Sequence, residues 1–186
     1  MTECRPAGNA GLAQALKAAL EQRKPWMLTS LAREFSVTEK QVAEALPEDM
    51  CAFAPGSSFI KVWESLATWE SATFIVQHEG HVLEIRGRIP AGTPGHGYYN
   101  LADGEALGGH IRADAVADMA FLSMPFMGLE SHSVQFFDAH GHVVFSVYVG
   151  RENHRIIPSV REAFFRLRGE TAVSCAGESR SAEPGK

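Results

Sequence analysis

From residue 72 the sequence takes on a period of two, and short turn-forming stretches interrupt it as far as Val149. A period of two sends alternate side chains to opposite faces of a strand. Strands are expected at 72–78 and 81–89, joined by the hairpin turn His78-Glu79-Gly80-His81. In the second strand Leu83, Ile85 and Ile89 face one way, and Glu84, Arg86 and Arg88 the other. Further strands are expected at 97–101, 105–111, 118–124, 131–138 and 142–149, with Asp138-Ala139-His140-Gly141 as a second hairpin turn. Short sequential strands with tight turns imply an antiparallel meander.

On both sides of this stretch the period becomes helical. Leu12, Leu16, Ala19 and Leu20 mark a first helix with Asn9 as its N-cap, and Pro25 breaks the pattern. Thr29 is expected to cap a short helix carrying Leu28, Leu31 and Phe35. Thr38 is expected to cap a third helix through Val42, Ala45 and Leu46, ended before Pro47. Two short helices about a tight turn resemble a helix-turn-helix. Residues 54–58 form a break, after which Phe59, Val62, Trp63 and Leu66 predict a helix over 58–70. A last helix begins after Pro158 and carries Val160, Phe164 and Leu167. The expected fold class is therefore α+β: a large antiparallel sheet meander with N-terminal helices and a C-terminal helix. Residues 1–56 are expected to be a helical segment packed on the same domain, and 57–168 the sheet domain. The tail 169–186 has no Leu, Ile, Phe or aromatic residue and is expected to be disordered.

The chain's 186 residues suffice for one full domain, which would bury roughly 70% of its unfolded surface. Seventeen basic and 22 acidic residues give a net charge of −5. That balance argues against a general nucleic-acid binder and against a polybasic membrane anchor. Cys4, Cys51 and Cys175 are far apart and form no zinc-type spacing, as expected of reduced thiols. Residues 1–6 lack the basic and apolar regions of a signal peptide, and no apolar run approaches the roughly 20 residues of a membrane span. The expected location is the cytoplasm.

None of the common catalytic motifs is present: no GxGxxG, GxxxxGK[ST], GxSxG or HExxH. Eight histidines stand out. His78, His81, His140 and His142 fall in turns and are expected to face water, while His132 and His154 are open. Two glycine-flanked stretches are more distinctive: Pro94-Gly95-His96-Gly97-Tyr98-Tyr99-Asn100 and Gly108-Gly109-His110-Ile111-Arg112. Glycine lets a ligand approach the backbone closely. Each stretch taken singly is also an ordinary hairpin end. Together they offer what a flat, apolar, iron-bearing ligand such as heme requires: an axial donor, an apolar wall and cations for its carboxylates. His110, His96, Tyr98 or Tyr99 could be the donor. Arg112, Arg86 and Arg88 could meet carboxylates. Phe126, Met127 and Phe136 could line a wall, although each singly reads as core. The third helix exposes Glu39, Lys40, Gln41 and Glu44, a poor face for phosphates, so the helices are expected to pack on the sheet or on a partner.

With these stretches in order, residues 11–168 resemble the bacterial heme-utilisation carriers of the HutX/ChuX type. The resemblance is carried by Val62-Trp63-Glu64, Val82-Leu83-Glu84-Ile85, Gly95-His96-Gly97-Tyr98-Tyr99-Asn100-Leu101, Gly109-His110-Ile111-Arg112, Phe126-Met127-Gly128, Phe136-Phe137, and Val149-Gly150-Arg151 with His154-Arg155. It implies a large antiparallel sheet with helices at both ends, and a homodimer similar to the two-repeat HemS/ChuS-type proteins. It implies cytoplasmic heme binding, then storage or delivery to a heme-degrading partner. The family's ligand histidine falls on His110, and a tyrosine implicated in some members points to Tyr98 or Tyr99. Some members have a second ligand histidine where Gln77 stands here. His78 follows it but points to the opposite face, so a five-coordinate heme or a tyrosine ligand is the alternative.

The leading expectation is a heme carrier with no catalytic residues. A heme-degrading enzyme of the HemS/ChuS type is the alternative, and a heme-responsive DNA-binding regulator a weaker one. A histidine ligand must be neutral to bind iron, so heme affinity is expected to fall below about pH 6.

Overall fold

The computed structural model describes residues 9–173 apart from Arg23 and Pro25. Pro25, Cys4, Cys175 and the tail beyond residue 173 lie outside the described residues. The N-terminal helices are α1 (Asn9–Glu21), α2 (Leu28–Phe35) and α3 (Glu39–Ala45). Thr38 caps α3 as expected: its hydroxyl accepts from the Gln41 amide at 3.2 Å, and the Gln41 side chain accepts from the Thr38 amide at 2.9 Å. Thr29 does not cap α2. That helix starts one residue after Met27, whose amide donates to the Ser30 hydroxyl at 2.9 Å. Thr29 lies inside the first turn, and its hydroxyl donates across to Gln77.

A strand, β1 (Cys51–Pro55), follows and overlaps the expected break at 54–58. A single 3₁₀ turn at Gly56–Ser58 leads into α4 (Phe59–Leu66), shorter than the expected 58–70. Next come β2 (Ala72–His78) and β3 (His81–Gly87). A small three-stranded sheet is made by β4 (Gly92–Gly95), β5 (Tyr98–Leu101) and β6 (His110–Ile111). Then come β7 (Asp118–Leu122), β8 (Ser133–Phe137) and β9 (Val143–Val149). A two-stranded ribbon, β10 (Arg151–Glu152) and β11 (Arg155–Ile156), precedes α5 (Pro158–Thr171). The helix α5 runs past the expected boundary at Arg168, and Thr171 at its end is buried.

The main sheet has the order β1-β7-β8-β9-β2-β3, and its paired strands are all antiparallel. Both of its faces are covered in the middle. On one face Phe59, Val62, Trp63 and Leu66 of α4 and Phe164 and Leu167 of α5 pack on Phe74, Phe121, Phe136 and Val147. On the other, Leu16, Leu31, Val42 and Leu46 pack on Ala120, Leu122 and Phe137. Burial on both faces explains why all of β8, including the adjacent Phe136 and Phe137, is inaccessible to water. The charged rim of α3 is tied to the sheet: Lys40 Nζ stands 2.5 Å from Asp118 Oδ2, and Glu39 Oε2 stands 3.0 Å from His142 Nδ1. Phe136, expected as a possible ligand wall, is core.

Two departures from the expected strands have physical explanations. Gly92-Thr93-Pro94-Gly95 has the composition of a turn, yet it forms β4 at the edge of its sheet, where a proline lacking N–H is tolerated. The expected strand 105–111 shrinks to His110–Ile111 because Gly109 takes φ of +125° and Leu107 turns into the core.

Candidate functional site

The small sheet decides which aromatic side chains are available. In β5 the side chains alternate, and the register sets Asn100 directly opposite His110 and Tyr99 opposite Ile111. Tyr98 and Asn100 therefore share the outer side with His110. The Tyr98 ring lies 6.0 Å from the His110 ring at an interplanar angle of 60°. Tyr99 goes the other way, into the aromatic core, with edge-on contacts to Phe59 and Trp63. Burial pushes its phenol pKa up. Its hydroxyl lies near the Gly92 backbone but in no geometry that makes a hydrogen bond. Tyr99 is thus not placed to be an exchangeable ligand.

His110 stands on the rim of a cavity of about 330 Å³. Phe74, Leu101, Leu107, Val116 and Phe145 form an apolar floor. Val144, 42% exposed, lines the same cavity at the point where the β8–β9 pairing is irregular. A bulge there re-aims a side chain that regular pairing would place elsewhere. Arg112 is also on the rim, its guanidinium engaged by Asp114 at 2.8 and 3.3 Å. This pairing holds the Asp114 carboxyl below its ordinary range and raises the Arg112 guanidinium further.

Asn100 belongs to the site although nothing in the sequence singles it out within its glycine-flanked stretch. Its Oδ1 lies 2.8 Å from His110 Nδ1, and its Nδ2 donates to the carbonyls of Gly95 and Thr93 at 3.1 and 3.3 Å. Its parity with Tyr98 in β5 was the available signal.

Other expected site residues lie elsewhere. His96 occupies the tip of the β4–β5 hairpin with φ of +53°, followed by Gly97 at +79°, the two positive values of a type I′ turn. Gln77 is on the opposite face of the main sheet from Phe74. There its Nε2 contacts Met27 Sδ at 3.2 Å and its Oε1 accepts from the Thr29 hydroxyl. Arg86 pairs with Glu84, and Arg88 with Glu105. Phe126 and Met127 sit in a turn between β7 and β8. That turn adjoins the Leu122–Ser133 end of the sheet, away from Asp118 and the cavity residue Val116. His78, His81, His140 and His142 are exposed, as is His154 at the ribbon tip.

His132 is buried (5% exposed) between Phe164 and Phe165. Its Nε2 is 2.7 Å from Glu130 Oε1 and its Nδ1 3.0 Å from Ser123 Oγ. Burial lowers its pKa against the opposing pull of Glu130. Arg161, 2.6 Å from the same Glu130 oxygen, and then His132 hold the Glu130 carboxyl below its ordinary range.

Fold and site together define a class: an antiparallel-sheet protein with helices on both faces and one imidazole set at the mouth of an apolar cavity. Residues 52–167 match the haem utilisation ChuX/HutX family, more than half of the chain. The chain is 39% identical over 150 residues to the intracellular heme transport protein HutX of Vibrio cholerae, covering 79% of this chain and 77% of that protein. The protein belongs to the ChuX/HutX family. Among solved structures, the heme-binding protein ChuX is similar at a TM-score of 0.74 and 29% identity, over 83% of this chain and 97% of ChuX. The fold also recurs in ChuS, an Escherichia coli heme oxygenase, at a TM-score of 0.67 and 17% identity. There 80% of this chain matches 47% of ChuS, a likeness of fold alone.

Proposed function

We infer that this protein binds heme as cargo at the His110 cavity, carries or stores it in the cytoplasm, and passes it to a heme-degrading partner, without itself breaking the ring. The observation that carries this reading is the exposed His110 imidazole on the rim of an apolar cavity. The donor set suits the cargo. Imidazole nitrogen is a normal axial donor for heme iron. The floor of Phe74, Leu101, Leu107, Val116 and Phe145 suits an apolar macrocycle, and Arg112 supplies a cation for its carboxylates. The Arg112–Asp114 pair is exposed, and such pairs are worth little and exchange readily. Tyr98, beside His110 and 44% exposed, is the second candidate donor. A rim this open also suits a protein that must release what it binds. The likeness to HutX and ChuX, a heme transporter and a heme binder by name, supports the same reading.

A homodimer belongs to this reading. The strand β3 is an edge of the main sheet, and it exposes Val82 (50%) and Leu83 (67%). An exposed apolar edge invites pairing. The dimer predicts sedimentation at twice the chain mass of 20.2 kDa, reverting toward that mass in Leu83→Lys. A wild-type monomer would refute it.

The test of heme binding is a hemin titration of the wild type, His110→Ala and Tyr98→Phe, followed by absorption spectroscopy. A saturable Soret band at about one heme per chain, weakened or shifted in His110→Ala, is the expected result. An unchanged His110→Ala spectrum would sink the assignment. With reductant, oxygen and catalase, intact heme is expected; release of iron and a defined tetrapyrrole product would identify an enzyme instead.

A further inference from the structure

We propose that Asn100 fixes the tautomer of His110, holding the proton on Nδ1 and leaving the Nε2 lone pair as the donor offered to a ligand. The consequence for heme rests on the reading of the His110 cavity given above; the tautomer does not. Which end of an amide points where must be settled from its partners. Asn100 has two kinds of neighbour. On one side are the carbonyl oxygens of Gly95 and Thr93, at 3.1 and 3.3 Å, with that of Tyr98 at 3.5 Å. Carbonyl oxygens only accept, so the amide NH₂ must face them. The Oδ1 atom is then left facing His110 Nδ1 at 2.8 Å. An amide oxygen also only accepts, so Nδ1 must carry the hydrogen.

The local backbone is arranged for this. The β5–β6 register sets Asn100 opposite His110, and the type I′ turn brings the Gly95 carbonyl back toward the amide. A side chain at Gly95 would place its Cβ 3.2 Å from Asn100 Nδ2, so glycine leaves room for the amide there. In water a free histidine favours the other tautomer, with its proton on Nε2. In that form Nε2, the ring nitrogen not engaged by Asn100, would have no lone pair to give. A bond at one ring nitrogen that sets the ring's orientation and donor strength at the other is a recurrent feature of metal-binding histidines. Asn100 is thus a positioning residue, acting through His110.

The first test needs no heme. Long-range ¹H–¹⁵N correlation spectra of the ¹⁵N-labelled apoprotein at pH 8 distinguish the two neutral tautomers of each histidine. His110 is expected in the Nδ1–H form in the wild type and shifted to the Nε2–H form in Asn100→Leu. A wild-type His110 in the Nε2–H form, or a pattern unchanged in Asn100→Leu, would overturn the proposal whatever heme does. The second test is hemin affinity. Asn100→Leu is expected to lose about 10–100-fold; Asn100→Asp, whose carboxylate still accepts the Nδ1 proton but cannot donate to the Gly95 and Thr93 carbonyls, is expected to keep the Nδ1–H form and to recover only part of that loss. Equal affinities in wild type and Asn100→Leu would overturn the positioning role. Hemin binding that survives in His110→Ala would instead refute His110 as the ligand, and the tautomer result would stand apart from it.

Discussion

At the scale of single residues, two neighbouring tyrosines have opposite fates. Tyr98 stands beside His110 on the outside of β5, and Tyr99 is inserted among Phe59 and Trp63. Strand alternation shows that the two must diverge, but not which one turns inward. That choice depends on the pairing of β5 with β6, which the sequence does not display. The Tyr99 hydroxyl is buried without a hydrogen bond, and an unsatisfied buried hydroxyl costs about 1–3 kcal/mol. Tyr99→Phe removes that cost and keeps the ring packing. The expected outcome is a stability gain of about 1 kcal/mol in urea denaturation, with a hemin spectrum like the wild type's. A loss of stability would mean that the hydroxyl is satisfied by a group or water in solution.

At the scale of elements, the glycines and turns carry more information than the strand patterns do. The helix repeats were legible because Phe59, Val62, Trp63 and Leu66 face one core. The strand β1 was not, since Cys51-Ala52-Phe53-Ala54-Pro55 is short and runs into glycine and serine, which read as a break. The glycines around His96 suggest a donor held close to a ligand, yet its backbone conformation explains them as a turn. A β-branched residue at φ of +53° is strained by about 1–2 kcal/mol. His96→Val should therefore lower stability by about that amount, and His96→Gly should not. Both should keep the Soret band; its loss in His96→Gly would return His96 to the list of ligands. Gly56 packs tightly against the backbone of a cavity residue. A Cβ there would lie 1.9 Å from the carbonyl oxygen of Val116, a residue of the cavity floor. Gly56→Ala is expected to cost about 1–3 kcal/mol, as overpacking does. It should also weaken hemin binding through Val116, as thermal melts and titrations of the same sample would reveal. Unchanged hemin affinity in a destabilised variant would disconnect Gly56 from the cavity.

At the scale of the whole molecule, the sheet is closed over by α1–α3 on one face and by α4 and α5 on the other. A buried histidine helps join these parts. His132 leads into β8 and is stacked against Phe164 of α5. Glu130 bridges it to Arg161 of α5, and the Arg151 guanidinium donates to the Glu130 carbonyl. Burial keeps the His132 ring neutral to lower pH than in the unfolded chain, and Arg161 and Arg151 act in the same direction, while Glu130 opposes them. Where the ring is neutral in the folded state but protonated in the unfolded one, the unfolded state binds more protons, and stability rises with pH. The folded protein should therefore lose stability as pH falls below the unfolded histidine value of about 6.5, at up to about 1.4 kcal/mol per pH unit for one proton. The depressed Glu130 carboxyl adds a loss of the same sign at lower pH, below the ordinary carboxylate range. Urea denaturation of the apoprotein at pH 7.5, 6.5 and 5.5 measures the upper window. His132→Gln should be less stable at pH 7.5, because the ring's packing on Phe164 and Phe165 is lost, and should show a flatter decline toward pH 5.5. A variant with the wild-type slope would place the acid sensitivity elsewhere in the fold. Because His132 stacks on α5 and His110 stands on the rim of the separate cavity, this acid effect on stability and the acid release of heme should separate. His132→Gln should flatten the first and leave the second in place.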